Sequence, residues 1–279
     1  MFKYLIATLC LIFAGLGGIY YFVGVPRIES TNFPALSAIH LYNNPDVLVD
    51  NIHISAFYFV SENKIGQVSG NWHNTMEVGL PKLAAFHELQ FQKRSKISYA
   101  IYPEPVIGEK DNLLYDTENT GRGNPRALIA ISEELERRVF KPDGDLYRKD
   151  FAEIGGQGYP VIFIMYEGVG ATGGIIHESA RETASEIAAD LGLAESVIFV
   201  VDVSSADGFF ILNRETLEGK HGPNGETIVA HEFYHTLGVE DKYSLDTGRA
   251  ESADLMGLGR FKPLENTFLS KDTLNALGL

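Results

Sequence analysis

The residues best suited to chemistry stand together in the run Ile228-Val229-Ala230-His231-Glu232-Phe233-Tyr234-His235-Thr236-Leu237-Gly238-Val239-Glu240-Asp241-Lys242-Tyr243. His231 and His235 are four apart, so on a helix they face the same way, one turn apart. Two imidazoles so placed can share one tetrahedral metal ion. Glu232 is offset by about 100° and can stand beside the ion, where a carboxylate can take a proton from water. Gly238 can end the helix in the left-handed conformation. The chain then turns sharply, and Asp241 can swing back as a third ligand, leaving a fourth position open as catalytic zinc requires. Glu240 is the alternative third ligand, with poorer spacing.

The helix is credible without any motif. Val229, Phe233 and Leu237 form an apolar row at i, i+4 and i+8. Asn224, with Glu226 and Thr227 following, suits an N-cap. By composition, H-E-x-x-H arises by chance in about 2 of 100 chains of this length, and the added Gly and Asp cut that to roughly one in ten thousand. The extended pattern is therefore the informative one.

H-E-x-x-H-x-x-G-x-x-D, followed by Tyr243 and by Asp254-Leu255-Met256-Gly257, resembles the metzincin clan of zinc peptidases. It is most similar to branches with an aspartate third ligand, such as snapalysin and the immune-inhibitor-A-like peptidases. The resemblance covers residues 226 to 258. It implies zinc held by His231, His235 and Asp241, Glu232 as general base, a methionine turn placing Met256 beneath the metal, and a protein or peptide substrate. It also implies that the strand Phe209–Leu212 rims the cleft. Where many metzincins carry a tyrosine after the methionine turn, Gly257 and Leu258 stand here. Tyr243 and Tyr234 are the candidates for that oxyanion or substrate-binding role. Two other readings are open: a zinc hydrolase of a non-protein amide, and an inactive tethered binding domain on a peptidase scaffold. A downstream glutamate ligand, Glu251 or Glu265, is disfavoured because Gly238 and Asp241 already fit.

The elements that must position these residues alternate between strand and helix. Val47–Val60 has period-two apolar residues, Ile97–Tyr102 reads as a strand, and Val161–Tyr166 and Val197–Val203 are continuous apolar runs of buried strands. Met76–Gln92 is helical in pattern despite Pro81; Pro125–Phe140 and Glu178–Leu191 carry helical spacing. This predicts an α/β fold of metzincin-like kind: a mixed, mainly parallel sheet, an active-site helix and a small C-terminal subdomain. The glycine-rich stretch Gly168–Gly174 lacks a phosphate-loop signature and reads as a turn or edge segment. His221 reads as a solvated loop residue and Asp246-Thr247-Gly248 as a plain turn.

The chain of 279 residues is 45% hydrophobic and 22% charged, enough for a real core. Its net charge of -14 argues against a nucleic-acid partner, which needs clustered Lys and Arg. The single cysteine, Cys10, excludes an intrachain disulfide and a cysteine-ligated deformylase site. Residues Tyr4 to Val25 carry no charge and at helical rise span roughly 33 Å, enough for a hydrocarbon core. Lys3 precedes the run, Arg27 follows it, and Tyr20, Tyr21 and Phe22 suit an interfacial belt. Residues 1–27 are therefore expected to be a signal anchor spanning a membrane, with 28–45 a linker and 46–279 a catalytic domain outside the cytoplasm. A cleaved signal is the alternative, and a lipid anchor at Cys10 is disfavoured because Leu9 precedes it.

Overall fold

The computed structural model describes residues 38–116, 130–131, 134–135, 158–176, 207–219, 225–243 and 252–279. The expected membrane span, the helix Glu178–Leu191, the strand Val197–Val203, Asn224, His221, Glu251 and the turn Asp246–Gly248 lie outside the described residues. No helix among the described residues is long and apolar enough to cross a membrane.

The fold is mixed α/β around a mainly parallel sheet. A short hairpin, β1 (His40–Leu41) with β2 (Asn44–Leu48), precedes the sheet. The six sheet strands are β3 (Asn51–Val60), β4 (Lys96–Ile101), β5 (Val106–Ile107), β6 (Tyr159–Tyr166), β7 (Ala171–Ile176) and β8 (Asp207–Asn213). Their order is β4-β3-β6-β8-β7, with β5 also on β3. Every pairing is parallel except β7 with β8.

The unbroken apolar runs follow from burial on both faces. From β3 and β6, Ile54, Ala56, Tyr58, Val161, Phe163 and Met165 enter one core. The alternate residues Phe57, Phe59, Ile162, Ile164 and Tyr166 enter the other. Ile131 and Leu135, from the expected helix 125–140, are buried in this second core.

Five helices are described: α1 (Trp72–Gln90), α2 (Asn112–Tyr115), α3 (Arg214–Leu217), α4 (Gly225–His235) and α5 (Lys271–Ala276). Helix α1 runs through Pro81 and buries Met76, Leu80, Leu83 and Phe86. These join Val229, Ala230 and Phe233 of α4 in the first core, so both long helices cover the same face of the sheet.

Two expectations need correction here. The linker assigned to residues 28–45 is too long, because the compact unit begins at Ala38. Ile39 and Leu41 are fully buried, and His40 and Asn43 donate backbone N–H bonds to Leu277 and Ala276. Tyr42 and Asn43 make the hairpin turn, with Asn43 at φ 52, and Asn44 and Pro45 open β2. The strand Phe209–Leu212 does not rim a cleft. As part of β8 it is paired on both sides, by β6 and β7. The described edge beyond β8 is β7, from the glycine-rich stretch read as a turn or edge segment.

The segment after α4 is built of short pieces: 3-10 turns Leu258–Phe261 and Leu264–Asn266, then α5. Leu264, Leu269 and Leu277 enter the first core. This segment therefore packs on the sheet-and-helix unit and shares its core.

Candidate metal centre

Helix α4 carries the H-E-x-x-H residues and ends as its sequence requires. Gly238 adopts φ 82. Its N–H reaches the His235 carbonyl at 3.0 Å, and the Val239 N–H reaches the Tyr234 carbonyl at 3.2 Å. This paired pattern closes a helix with a left-handed glycine. Val239 and Tyr234, which flank the cap, are both buried. The turn sends the chain back so that Asp241 meets the helix it has just left.

Asp241 Oδ1 lies 3.2 Å from His231 Nε2 and 3.4 Å from His235 Nε2. One ligand atom from each residue falls within 4.8 Å of the others. Ligands of one tetrahedral ion bound at about 2.0–2.1 Å stand roughly 3.3 Å apart, so the spacing suits a shared ion. The exposed Glu240 is not part of the group.

The outer ring nitrogens fix which way the inner lone pairs face. His231 Nδ1 is 3.2 Å from the Leu255 carbonyl, and His235 Nδ1 is 2.7 Å from the Val239 carbonyl. A carbonyl only accepts, so each Nδ1 carries a proton and donates it. In the neutral rings both Nε2 lone pairs then face Asp241. Asp241 Oδ1 is itself buried with no hydrogen-bond partner. Three lone-pair atoms converging in a buried space need a cation or added protons among them. His231, His235 and Asp241 thus form a group able to hold a metal ion, with backbone carbonyls orienting both imidazoles as metal-ligating histidines require.

The electrostatics agree. Burial opposes ionisation of Asp241, but the two imidazoles hold its carboxyl well below the usual carboxylate range. Burial pulls His235 down, and the carboxylates of Asp241 and Glu232 outweigh it and raise the ring. Glu232 is 8% exposed; burial raises its carboxyl against the pull of the two histidines, and Asp241 raises it further. A carboxylate pushed upward beside a metal-ligand cluster has the property a general base needs.

Met256 is fully buried in the first core, in a turn fixed at both ends of the site. The preceding Leu255 carbonyl takes the His231 proton, and the Met256 carbonyl accepts the Lys242 backbone N–H at 2.8 Å. The Lys242 ammonium reaches Asp254 Oδ2 at 2.7 Å and the Ser270 and Thr273 hydroxyls at 2.6 Å each. This clamp ties the residue after Asp241 to the methionine turn and to α5. Nothing in the spacing of Lys242, Asp254 and Ser270 announces it, because its partners come together only in the folded chain.

The two tyrosine candidates part company. Tyr243 stands at the site, its ring 6.3 Å from that of His231 and near parallel to it. Burial, then the Asp241 charge, push its hydroxyl up to about 12, so it stays a proton donor at neutral pH. Tyr234 is not at the site. It is fully buried on the core side of α4, its hydroxyl 3.2 Å from His87 Nδ1 of α1. The apolar side of α4 must cover the sheet and α1, and Tyr234 belongs to that side.

Gly173 of β7 is a site residue that sequence reasoning missed. A Cβ there would lie 2.2 Å from the Glu232 carbonyl oxygen. Only glycine lets the edge strand approach the active helix this closely. The glycine run was visible, but its packing partner was not.

Comparison of the chain with models of known protein families and with curated proteins finds no match to either.

Proposed function

We propose that this chain is a zinc-dependent endopeptidase of the metzincin type. The observation that carries the reading is the convergence of His231 Nε2, His235 Nε2 and Asp241 Oδ1 beside the buried carboxylate of Glu232. Two nitrogens and one carboxylate oxygen suit zinc, and a bound zinc ion would polarise the substrate carbonyl and lower the pKa of an attacking water.

The chain's own groups then do the following. Glu232 takes a proton from water as its oxygen attacks the scissile carbonyl carbon. It hands that proton to the leaving amine nitrogen as the C–N bond breaks. Tyr243, kept protonated, supplies a hydrogen-bond donor next to the first histidine, suited to charge developing on the carbonyl oxygen. Met256 forms an apolar floor. Among the described residues, β7 has no strand on its far side, and an extended peptide can add there by backbone hydrogen bonding. The uncharged run Tyr4–Val25 supports a membrane anchor with the catalytic unit outside the cytoplasm.

The test is casein proteolysis by the chain loaded with zinc, wild type against Glu232→Ala. The reading expects hydrolysis by the wild type and a loss of at least about 100-fold in the variant, with bound zinc unchanged. Equal activity in both would remove Glu232 from the mechanism.

A further inference from the structure

The 3-10 turn Leu258–Phe261, just beyond the methionine turn, places a cation at the site that the proposed mechanism does not use. Arg260 lays its guanidinium on the Tyr243 ring, with Cζ 3.4 Å from the ring centroid. Tyr243 packs in turn on His231. The charge of Arg260 is felt at Glu232 and at Tyr243.

Among the described residues it has no counter-ion. Arg260 Nη1 is buried with no hydrogen-bond partner, and no carboxylate of the described residues pairs with it. Arg214, which is more deeply buried, shows the usual arrangement: it is held by Glu167 at 2.8 Å and by Glu218 at 2.5 Å. A guanidinium carries five donors in a fixed fork, so one with a buried, unpaired nitrogen is poised for an anion. The turn also faces outward, since its neighbours Leu258 and Phe261 are 49% and 60% exposed. A ligand can therefore reach Arg260 from solvent.

We propose that Arg260 is a specificity residue that receives a carboxylate of the peptide substrate next to the scissile bond. The planar guanidinium matches a carboxylate in two parallel hydrogen bonds, and stacking on Tyr243 holds the plane fixed. In the zinc-loaded site the ion offsets the charges of Glu232 and Asp241, so one further cation is left to meet an acidic substrate group. Arg260 is that cation. The carboxylate has two sources, an Asp or Glu side chain or a free C-terminus. This inference rests on the peptidase reading.

The experiment uses capped hexapeptides in matched pairs: Glu against Gln at each position, and a free C-terminal acid against the amide. Cleavage is measured as kcat/KM with the zinc-loaded chain. Affinity is measured by fluorescence anisotropy with Glu232→Gln, which binds without needing to cleave. The expected result is a preference of about tenfold or more for the acid member of one pair. Arg260→Gln should abolish it while leaving the neutral member within about threefold. Arg260→Lys, which keeps the charge and guards against a folding defect in the first variant, should retain part of it. The pair that responds identifies the source, side chain or terminus. An equal loss on both members would overturn the proposal and make Arg260 a support for Tyr243. So would the absence of any acid preference in the wild type. An Arg260-dependent preference in binding, with no peptide cleaved, would instead sink the peptidase reading and leave the carboxylate site standing.

Discussion

At the scale of single residues, the proposed chemistry turns on Asp241 as the third ligand. With two neutral imidazoles and one carboxylate, the donor set carries one negative charge more than three imidazoles would. That charge makes a bound divalent ion a weaker Lewis acid, so the attacking water loses its proton at higher pH. We expect a pH–rate profile with an alkaline optimum, and Asp241→His should move its acidic limb to lower pH. A wild-type profile peaking below neutrality would contradict the charge argument. Metal binding should also weaken as pH falls. Asp241 and Glu232 favour a proton on His235, and an incoming ion must displace it. At this scale much was legible: His231, Glu232, His235, Gly238 and Asp241 are all local in sequence, and helix spacing with one left-handed glycine turn brings them together. Tyr234 shares the helix of the two histidines, but its side chain belongs to the core. Arg260 and Lys242 left no signal, since the partners that define each lie 17 and 12 residues or more away.

At the scale of elements, the candidate ligands are held through contacts between α4 and its neighbours. Helix α4 is pressed on β7 at Gly173, where any side chain would meet the Glu232 carbonyl. Gly173→Ala should force the two apart, costing about 1–3 kcal/mol of stability and lowering activity more than Gly174→Ala, whose Cβ would meet nothing within 4 Å. Denaturant melts and casein assays on the two variants make the comparison. The Asp241 loop is held by the Lys242 clamp. Lys242→Met leaves Asp254, which is fully buried, without its cation. Removing one partner of such a pair costs about 3–5 kcal/mol, and loosening the support of a ligand costs about 10–100-fold in metal affinity. Competition with a chromogenic zinc chelator reads the second effect; unchanged zinc affinity would show that the loop needs no clamp. The helix and its cap were legible as elements. The edge strand was half legible, because glycines in a strand resemble those of a turn until a partner helix explains them.

The whole compact unit, residues 38–279, depends on polar groups sealed between its layers. His87 is fully buried, with Nε2 2.7 Å from the Ser95 hydroxyl and Nδ1 on Tyr234. Burial pushes its pKa down to about 3. In the unfolded chain its pKa is about 6.5, so between the two values the unfolded state binds the extra proton. Stability from this group is complete above about pH 6.5 and falls as pH drops toward 3. Between pH 7 and pH 5 the loss is about 2 kcal/mol. Urea melts at those two pH values should show that loss in the wild type and a smaller one in His87→Asn. Equal losses would place the acid sensitivity elsewhere. On this scale the class of fold was legible from doubly buried apolar runs, which only a sheet covered on both faces requires. The strand order was not. Pairing β8 between β6 and β7, and the antiparallel turn of β7, depend on contacts between segments far apart in sequence.

The measurement that tests the account most directly is metal content with ligand identity, by elemental analysis and X-ray absorption. It compares the wild type, Glu232→Ala and Asp241→Ala after purification without chelators. The account predicts about one zinc per chain in the first two, bound through two imidazole nitrogens with oxygen in the remaining positions, and little or none in Asp241→Ala. No zinc in the wild type, or zinc that Asp241→Ala leaves untouched, would contradict it.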